Sequence, residues 1–488
     1  MDSRIAHAAR AEDRPAPGPA LGLPSDDRPA AQDLAAGSAP IPPAADAAPS
    51  PPLRRCKPWL SALALLMAGA APPAMARAEA SSGLPDFAGE TLTGDWGGRR
   101  SALAARGVDI GLDYTAEVLG NLRGGARRGT AYHGLLGLGV TLDLQRMAGW
   151  QGGRLHVSAL QIHGRGLSEH YLGNLLTTSG IEAVPSTRLY EAWFEQEMFG
   201  GFAALRLGQI LADEEFLVSE SAGIFVNATF GWPGITAVNL PGGGPAYPLA
   251  TPGVRLRLGA PQGTSFAVAA FNGDPAGGRA GDPQRANRHG LLFPLGDDAF
   301  LIAELAHAAR RGAAGLPATF KLGAWYHTGH FEDLRATAED AVTRRGNFGA
   351  YAVADALLWR PGGQESGGLG AFLRVAAAPS GRNPIDFYLD GGLTWTGLLP
   401  GRPDDVLGLG FAYAQLSGPA RRRDREARLL DDLAGGLRRQ EALVELTYAA
   451  QVRPGWLVQP TAQFVVNPGA EAEARNALTV GLRVALSF

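Results

Sequence analysis

Leu478-Thr479-Val480-Gly481-Leu482-Arg483-Val484-Ala485-Leu486-Ser487-Phe488 alternates without a break. Leu478, Val480, Leu482, Val484, Leu486 and Phe488 share one face. Thr479, Gly481, Arg483 and Ser487 share the other. A period of two with one apolar face is a β-strand. The pattern recurs upstream. Leu136, Leu138, Val140, Leu142 and Leu144 lie opposite Gly137, Gly139, Thr141 and Asp143, and Val108, Ile110, Leu112 and Tyr114 lie opposite Asp109, Gly111 and Asp113.

A soluble β-sandwich alternates too, and two features favour a membrane barrel over it. The segments approach the length of roughly ten residues that crosses a bilayer when tilted. The connections also alternate in length. Short ones fall near Gly149–Gly153, Met198–Gly201, Ala260–Gly263, Pro361–Gly367, Leu399–Pro403 and Arg453–Gly455. Long ones fall near Leu119–Gly134, His163–Ser186, Ala212–Thr251, Gly273–Asp298, Thr328–Gly346 and Ser417–Gln440. Candidate strands number about sixteen, an even count within the barrel range. The expected class is all-β, a transmembrane antiparallel β-barrel over 108–488. Closure leaves no unpaired backbone in lipid, and the aromatic Phe488 ends the chain on the lipid face.

Ahead of the barrel, residues 1–53 are Pro/Ala-rich without apolar periodicity and read as disordered or as a mis-assigned start. Residues 54–78 read as a signal peptide. Arg54-Arg55-Cys56-Lys57 precedes the apolar run Trp59 to Ala71 and then the small-residue site Ala74-Met75-Ala76. Residues 79–107 form an expected periplasmic segment with a short helix over Ser101–Arg106, stopped by Gly107. Cys56 is the single cysteine among 488 residues, which excludes a disulfide framework and a Cys-based metal site. A net charge of −3 gives no electrostatic case for nucleic acid. His327 and His330 lack a third metal ligand. Ser219 and Ser221 lack the glycine that a nucleophile elbow places two residues earlier. No cofactor is expected.

Between the strand at Leu205–Gln209 and Gly253 the period is lost for some forty residues. A loop this long is functional or disordered. Phe216, Leu217, Ile224, Phe225, Val226, Phe230 and Trp232 make it too apolar for disorder, so it is expected to fold inward, into the lumen.

Leu92-Thr93-Gly94-Asp95-Trp96-Gly97-Gly98-Arg99-Arg100 and Tyr114-x-x-Glu117-Val-Leu-Gly-Asn121 resemble the carbohydrate-selective porins of Gram-negative outer membranes, the OprB type. Further matches are the strand Arg188–Gln196, then Leu207-Gly-Gln209, Ser219–Asn227, Thr229–Pro233, Tyr247–Gly253, Lys321–His327, Phe372-Leu-Arg374 and Gly397–Asp405. The ordered set covers nearly all the chain after Leu92. The insertion Arg421–Arg439 departs from it, as does the N-terminal extension. The resemblance implies a sixteen-stranded outer-membrane barrel that passes small neutral sugars, glucose above all, by facilitated diffusion. A non-selective general diffusion porin shares every strand and is the alternative. An outer-membrane lipase would need a Ser/His pair on the lipid face, and none assembles.

A neutral sugar needs donors and acceptors close together, and an aromatic face for its C–H side. Binding must stay weak, or release fails. The candidate lining residues are Arg165, Arg188, Glu191, Trp193, Arg206, Gln209, Glu215, Glu220, Asn227 and Arg374. Arg255, Arg257 and Arg483 share their inward parity with Arg206. Arg188 has the opposite parity to Glu191, Trp193 and Glu195, so a bulge must intervene if all four line the pore. Each could instead be a solvated charge in a wide channel. Trp325, Tyr326, Trp395 and Trp456 are expected in the aromatic belts at the rims. The partners expected are sugars and outer-membrane lipid, with the barrel as a monomer or a trimer.

Overall fold

A computed structural model describes residues 91–488 apart from 297, 313–314, 337–341, 363–366 and 431–436. The expected extension 1–53, the signal segment 54–78 and residues 79–90 lie outside the described residues.

Among the described residues, sixteen strands close one antiparallel barrel in chain order. They are β1 (Val108–Arg123), β2 (Gly129–Asp143), β3 (Gly153–Gly164), β4 (Ser186–Met198), β5 (Ala203–Ile210), β6 (Thr251–Gly259), β7 (Thr264–Asn272) and β8 (Ala299–Arg311). The second half is β9 (Leu316–Glu332), β10 (Thr343–Trp359), β11 (Gly368–Ala377), β12 (Ile385–Thr396), β13 (Val406–Leu416), β14 (Gln440–Arg453), β15 (Trp456–Val466) and β16 (Ala477–Ser487). The barrel shuts where β1 pairs β16, from Asp113 opposite Ser487 to Arg123 opposite Leu478.

Short turns sit at one rim and longer loops at the other, as in outer-membrane barrels. Two expected loops are shorter than their sequence suggested. Strands β1 and β2 keep pairing up to Asn121 opposite Gly129, which leaves only 124–128 of the expected Leu119–Gly134. Strands β9 and β10 likewise pair as far as Glu332 opposite Thr343. Pairing continues because these ladders run past the apolar belt. A helix, Gly418–Leu430, begins three residues before the expected charged insertion Arg421–Arg439 and runs into it.

The alternation sorts the two faces. Val118, Leu138, Val157, Leu207, Val254, Leu322, Leu373, Leu446 and Leu482 stand exposed on the outer wall. So large an apolar surface is stable only in lipid. Of the aromatics expected in the belts, Tyr326 faces outward, and Trp395 packs edge-on against Trp359 at the short-turn rim. Trp325 departs from that expectation. It is 4% exposed and packs inward against Phe300, because the lumen carries an apolar core of its own.

That core belongs to the 211–250 loop, which folds inward as expected. Phe216, Leu217, Phe225, Phe230, Trp232 and Ile235 are buried in one cluster with Phe372 and Tyr388 of the wall. Burying them offsets the entropy of ordering forty residues. Polar wall residues fasten the loop backbone. Glu445 of β14 accepts from the Val226 and Asn227 N–H groups at 2.7 and 3.0 Å. Asp355 of β10 accepts from Ser219 Oγ at 2.6 Å. Glu304 of β8 accepts from the Leu217 N–H at 3.1 Å. Leu217 needs this hold, since its φ of +61° is unusual for a non-glycine residue.

Before β1, the helix α1 (Arg99–Ala105) starts two residues earlier than expected. Asp95 Oδ1 accepts from the Ser101 N–H at 2.7 Å and from Ser101 Oγ at 2.8 Å. Gly107, at φ +86°, makes the turn into β1. Arg100 donates to the carbonyls of Phe488 and Ile110, both at 2.9 Å, and the Leu92 N–H donates to Ser487 O at 2.8 Å. The motif 92–100 therefore clasps the β1–β16 seam at the short-turn rim.

Candidate functional site

Strands β3 to β6 and the first residues of the inward loop bring charge together in the lumen. Alternation turns His156 of β3, Trp193 and Glu195 of β4, Arg206 of β5 and Arg255 of β6 inward. Cross-strand register sets His156 opposite Trp193 and Glu195 opposite Arg206. Arg206 in turn pairs with Arg255.

Two arginines and two glutamates interlock. Arg206 Nε lies 3.0 Å from Glu195 Oε2, and Arg255 Nη2 lies 2.8 Å from the same oxygen. From the loop, Glu215 reaches Arg206 Nη1 at 3.2 Å and accepts from Arg255 Nη2 at 2.6 Å. Two cations side by side repel, and two carboxylates between them remove that cost. Glu195 and Arg255 are buried, while Arg206 and Glu215 keep 16% and 13% of their side-chain surface open. The inner pair supports, and the outer pair faces the channel.

A stack holds Arg206 in place. Its guanidinium lies 4.0 Å over the Trp193 ring. The His156 ring stacks on Trp193 at 5.0 Å and 20°. Trp193 Nε1 donates to Glu191 Oε1 at 3.0 Å. Both faces of Trp193 are thus occupied, and the aromatic face expected to meet a sugar is not free at this residue. The indole instead fixes the donor beside it. Gly208, opposite Trp193, leaves it room; a Cβ there, at φ +139°, would fall 3.0 Å from Trp193 Cβ.

Asp213 and Glu214 complete the acidic side. The Tyr247 N–H donates to Asp213 at 2.9 Å. Burial pushes the Asp213 carboxyl up to about 6. Burial, and then the neighbouring Glu191 and Asp213, push Glu214 well above the usual carboxylate range. A protonated carboxyl can donate as well as accept, and a solute rich in hydroxyls uses both.

The other expected lining residues take several positions. Arg188 does turn inward past a bulge: Val157 pairs Ala192 and Ala159 pairs Leu189, so two residues of β4 oppose Ser158. Its side chain is buried and donates to Asn287 O at 2.9 Å. Gln209 alternates outward with Leu207 and donates to Tyr190 O at 2.8 Å. Asn227 and Arg374 are buried between loop and wall. Arg374 is ion-paired with Asp390 and donates to the carbonyls of Leu217, Thr229 and Gly231. Glu220 is exposed at a turn of the inward loop. Arg165 is exposed at the far rim, its N–H donating to Tyr132 O at 2.9 Å. Trp193, Glu191, Arg206 and Glu215 form one cluster, and Arg165, Gln209 and Glu220 stand apart from it. His156, Asp213 and Glu214 were not singled out from sequence. The alternation of Arg154, His156 and Ser158 in β3 is the signal that could have found the histidine.

The sequence profile described as carbohydrate-selective porin, OprB family, matches residues 127–488. Porin B of Pseudomonas aeruginosa is 27% identical over 427 residues, 81% of this chain and 91% of that protein. The high-pH structure of Pseudomonas putida OprB superposes with a TM-score of 0.75 at 25% identity, covering 82% of this chain and all of that one. The low-pH structure of that protein, at 21% identity and a TM-score of 0.54, speaks to the fold alone. With a closed sixteen-stranded barrel, a lipid-facing wall and a profile match over most of its length, the chain belongs to the carbohydrate-selective porins of the OprB family, channels of the outer membrane rather than enzymes.

Proposed function

We propose that glucose and related neutral hexoses pass this barrel by exchanging hydroxyl hydrogen bonds with Arg206, Glu215 and Glu191. The Arg206–Glu215 pair, which keeps a small part of its surface open and is backed by the buried Glu195–Arg255 pair, carries the reading. It offers fixed donors and acceptors whose charges are already balanced, so a neutral solute meets no net desolvation of a free ion. Trp193 acts as a positioning residue for Arg206. The site is complete within one chain, which supports passage through each barrel whether it stands alone or in a trimer. Export through the periplasm, directed by residues 54–78, belongs to the same proposal.

Single-channel conductance in a planar bilayer tests it, with glucose titrated at constant salt. A saturable fall in ion current is expected, shrinking at least several-fold in Arg206→Ala and partly in Trp193→Ala. A wild-type current that changes only with viscosity would leave a non-selective pore.

A further inference from the structure

We infer that the outer wall at the long-loop ends of β1, β2 and β3 binds the phosphate-bearing head of an outer-leaflet glycolipid. Cross-strand register sets Val118 opposite Tyr132 and Gly120 opposite Thr130. Val118 and Tyr132 are 49% and 45% exposed on the lipid side. Above them β3 leaves the sheet at Gly164, φ +93°, and the Arg165 N–H donates to Tyr132 O at 2.9 Å. A cavity of about 370 Å³ opens at this edge, lined by Thr130, Ala131, Tyr132, Gly164 and Arg165.

Three arginines stand around it. Arg165 is part of its lining. A bulge after Asn121 sets Arg123 opposite Leu478, in line with the outward Val480 and Leu482. Arg128 ends the tight tip 124–128, two residues ahead of Thr130. All three are exposed, and none has an ion pair or a side-chain hydrogen bond among the described residues. Arg127 differs, since it donates to His170 O at 2.8 Å and lies over the Tyr171 ring. From Val118 to Leu142 the sequence holds no carboxylate, and Glu117 is buried against Arg483 and His133. Of the neighbouring connections, Glu169 turns to His170 at 4.0 Å, and Glu473 stands two residues from Arg475. Elsewhere on this rim arginines are matched: Asp333 holds Arg335 and Arg344, and Glu332 holds Arg423. Here the positive charge is left open to the outside.

The order of groups up the wall names the occupant. Apolar Val118 comes first, then the hydroxyls of Tyr132 and Thr130, then the guanidinium groups. A phosphorylated glycolipid runs in the same order, from acyl chain to sugar to phosphate. Arginine forks match phosphate oxygens, hydroxyls exchange bonds with a sugar, and basic clusters beside an apolar membrane surface bind anionic head groups. Tyr132 Oη is held by Tyr114 Oη at 2.7 Å, which fixes the phenol at this height. The donors are exposed, so a head group reaches them without rearrangement of the wall. Free phosphate would meet the arginines but not the apolar surface below them, and the long-loop rim lies in the outer leaflet.

Native mass spectrometry of the folded, detergent-solubilised barrel tests the assignment, with diphosphoryl lipid A and the same lipid stripped of its phosphates as probes. One diphosphoryl lipid A is expected to be retained under activation that removes the dephosphorylated form. The triple variant Arg123→Gln, Arg128→Gln, Arg165→Gln should lower that retention roughly tenfold or more, the worth of a few charge-assisted bonds. The triple variant Arg421→Gln, Arg422→Gln, Arg425→Gln removes the same charge from the helix Gly418–Leu430 and should leave retention unchanged. Both should keep the unfolding temperature of the wild-type barrel, since the substituted side chains are not buried. Equal retention of the two lipids would overturn the proposal, as would an equal loss in the two triple variants. Complete displacement of lipid A by millimolar inorganic phosphate would also overturn it, and would make the arginines a site for anions in solution.

Discussion

Asp213 is where a single proton should be felt in the current. Its carboxyl, lifted by burial to about 6, is neutral below that pH and charged above it, and Glu214 follows the same direction. The charged cluster around Arg206 is more negative at pH 7 than at pH 5. Cation preference, measured as a reversal potential across a salt gradient, should therefore fall as pH drops through about 6. Asp213→Asn should flatten part of that step. The stability effect has the matching sign. A carboxyl with a raised folded-state pKa favours the fold most below about 4 and loses that advantage between about 4 and about 6. Alternation alone identified Trp193, Glu191 and Arg206 as inward candidates. It could not show that His156 and Arg206 occupy both faces of Trp193, because that depends on the register of three strands. Gln209 shows the limit from the other side: it lies two places past outward Leu207 and three past inward Arg206, so the alternation of β5 itself turns it away from the lumen.

The inward loop is an element held from outside itself. Its own apolar residues revealed that it folds in. Its fasteners, Glu304, Asp355, Arg374 and Glu445, come from four strands of the far wall and lie up to some two hundred residues away in sequence. No local pattern announces such contacts. Arg374 has the largest share, neutralising buried Asp390 and satisfying three loop carbonyls. Arg374→Ala should destabilise the loop by about 3–5 kcal/mol, the usual cost of leaving a buried charge without its partner. The strand ladder is untouched, so the barrel should still form. The expected signature is a noisier, larger single-channel current and a weakened glucose block. A quiet current of unchanged size would show that the apolar core alone holds the loop.

At the scale of the whole barrel, strand number, lipid face and inward loop were legible because period two and loop-length alternation survive in any single sequence. Loop heights were less so: β1–β2 and β9–β10 run on beyond the belt, where polar residues pair as well as apolar ones. The family motif 92–100 was legible only as a resemblance, and its physical work is to clasp the seam. Arg100→Ala removes three bonds from a charged donor, to Thr91 Oγ1 and to the carbonyls of Phe488 and Ile110, which should cost about 1–3 kcal/mol at this half-buried site. The loss should be visible as a lower unfolding temperature of the barrel with pore conductance intact. An unchanged melting curve would reduce the clasp to a passive cover.

The same clasp has a bearing on how such a barrel can change over evolutionary time. Arg100 touches Phe488 and Ile110 together, so the first and last strands must meet at one rim, pointing in opposite directions. Losing or gaining a single strand would send Phe488 to the other side of the membrane, out of that guanidinium's reach. Growth and shrinkage are confined to whole hairpins, and parity becomes an inherited trait.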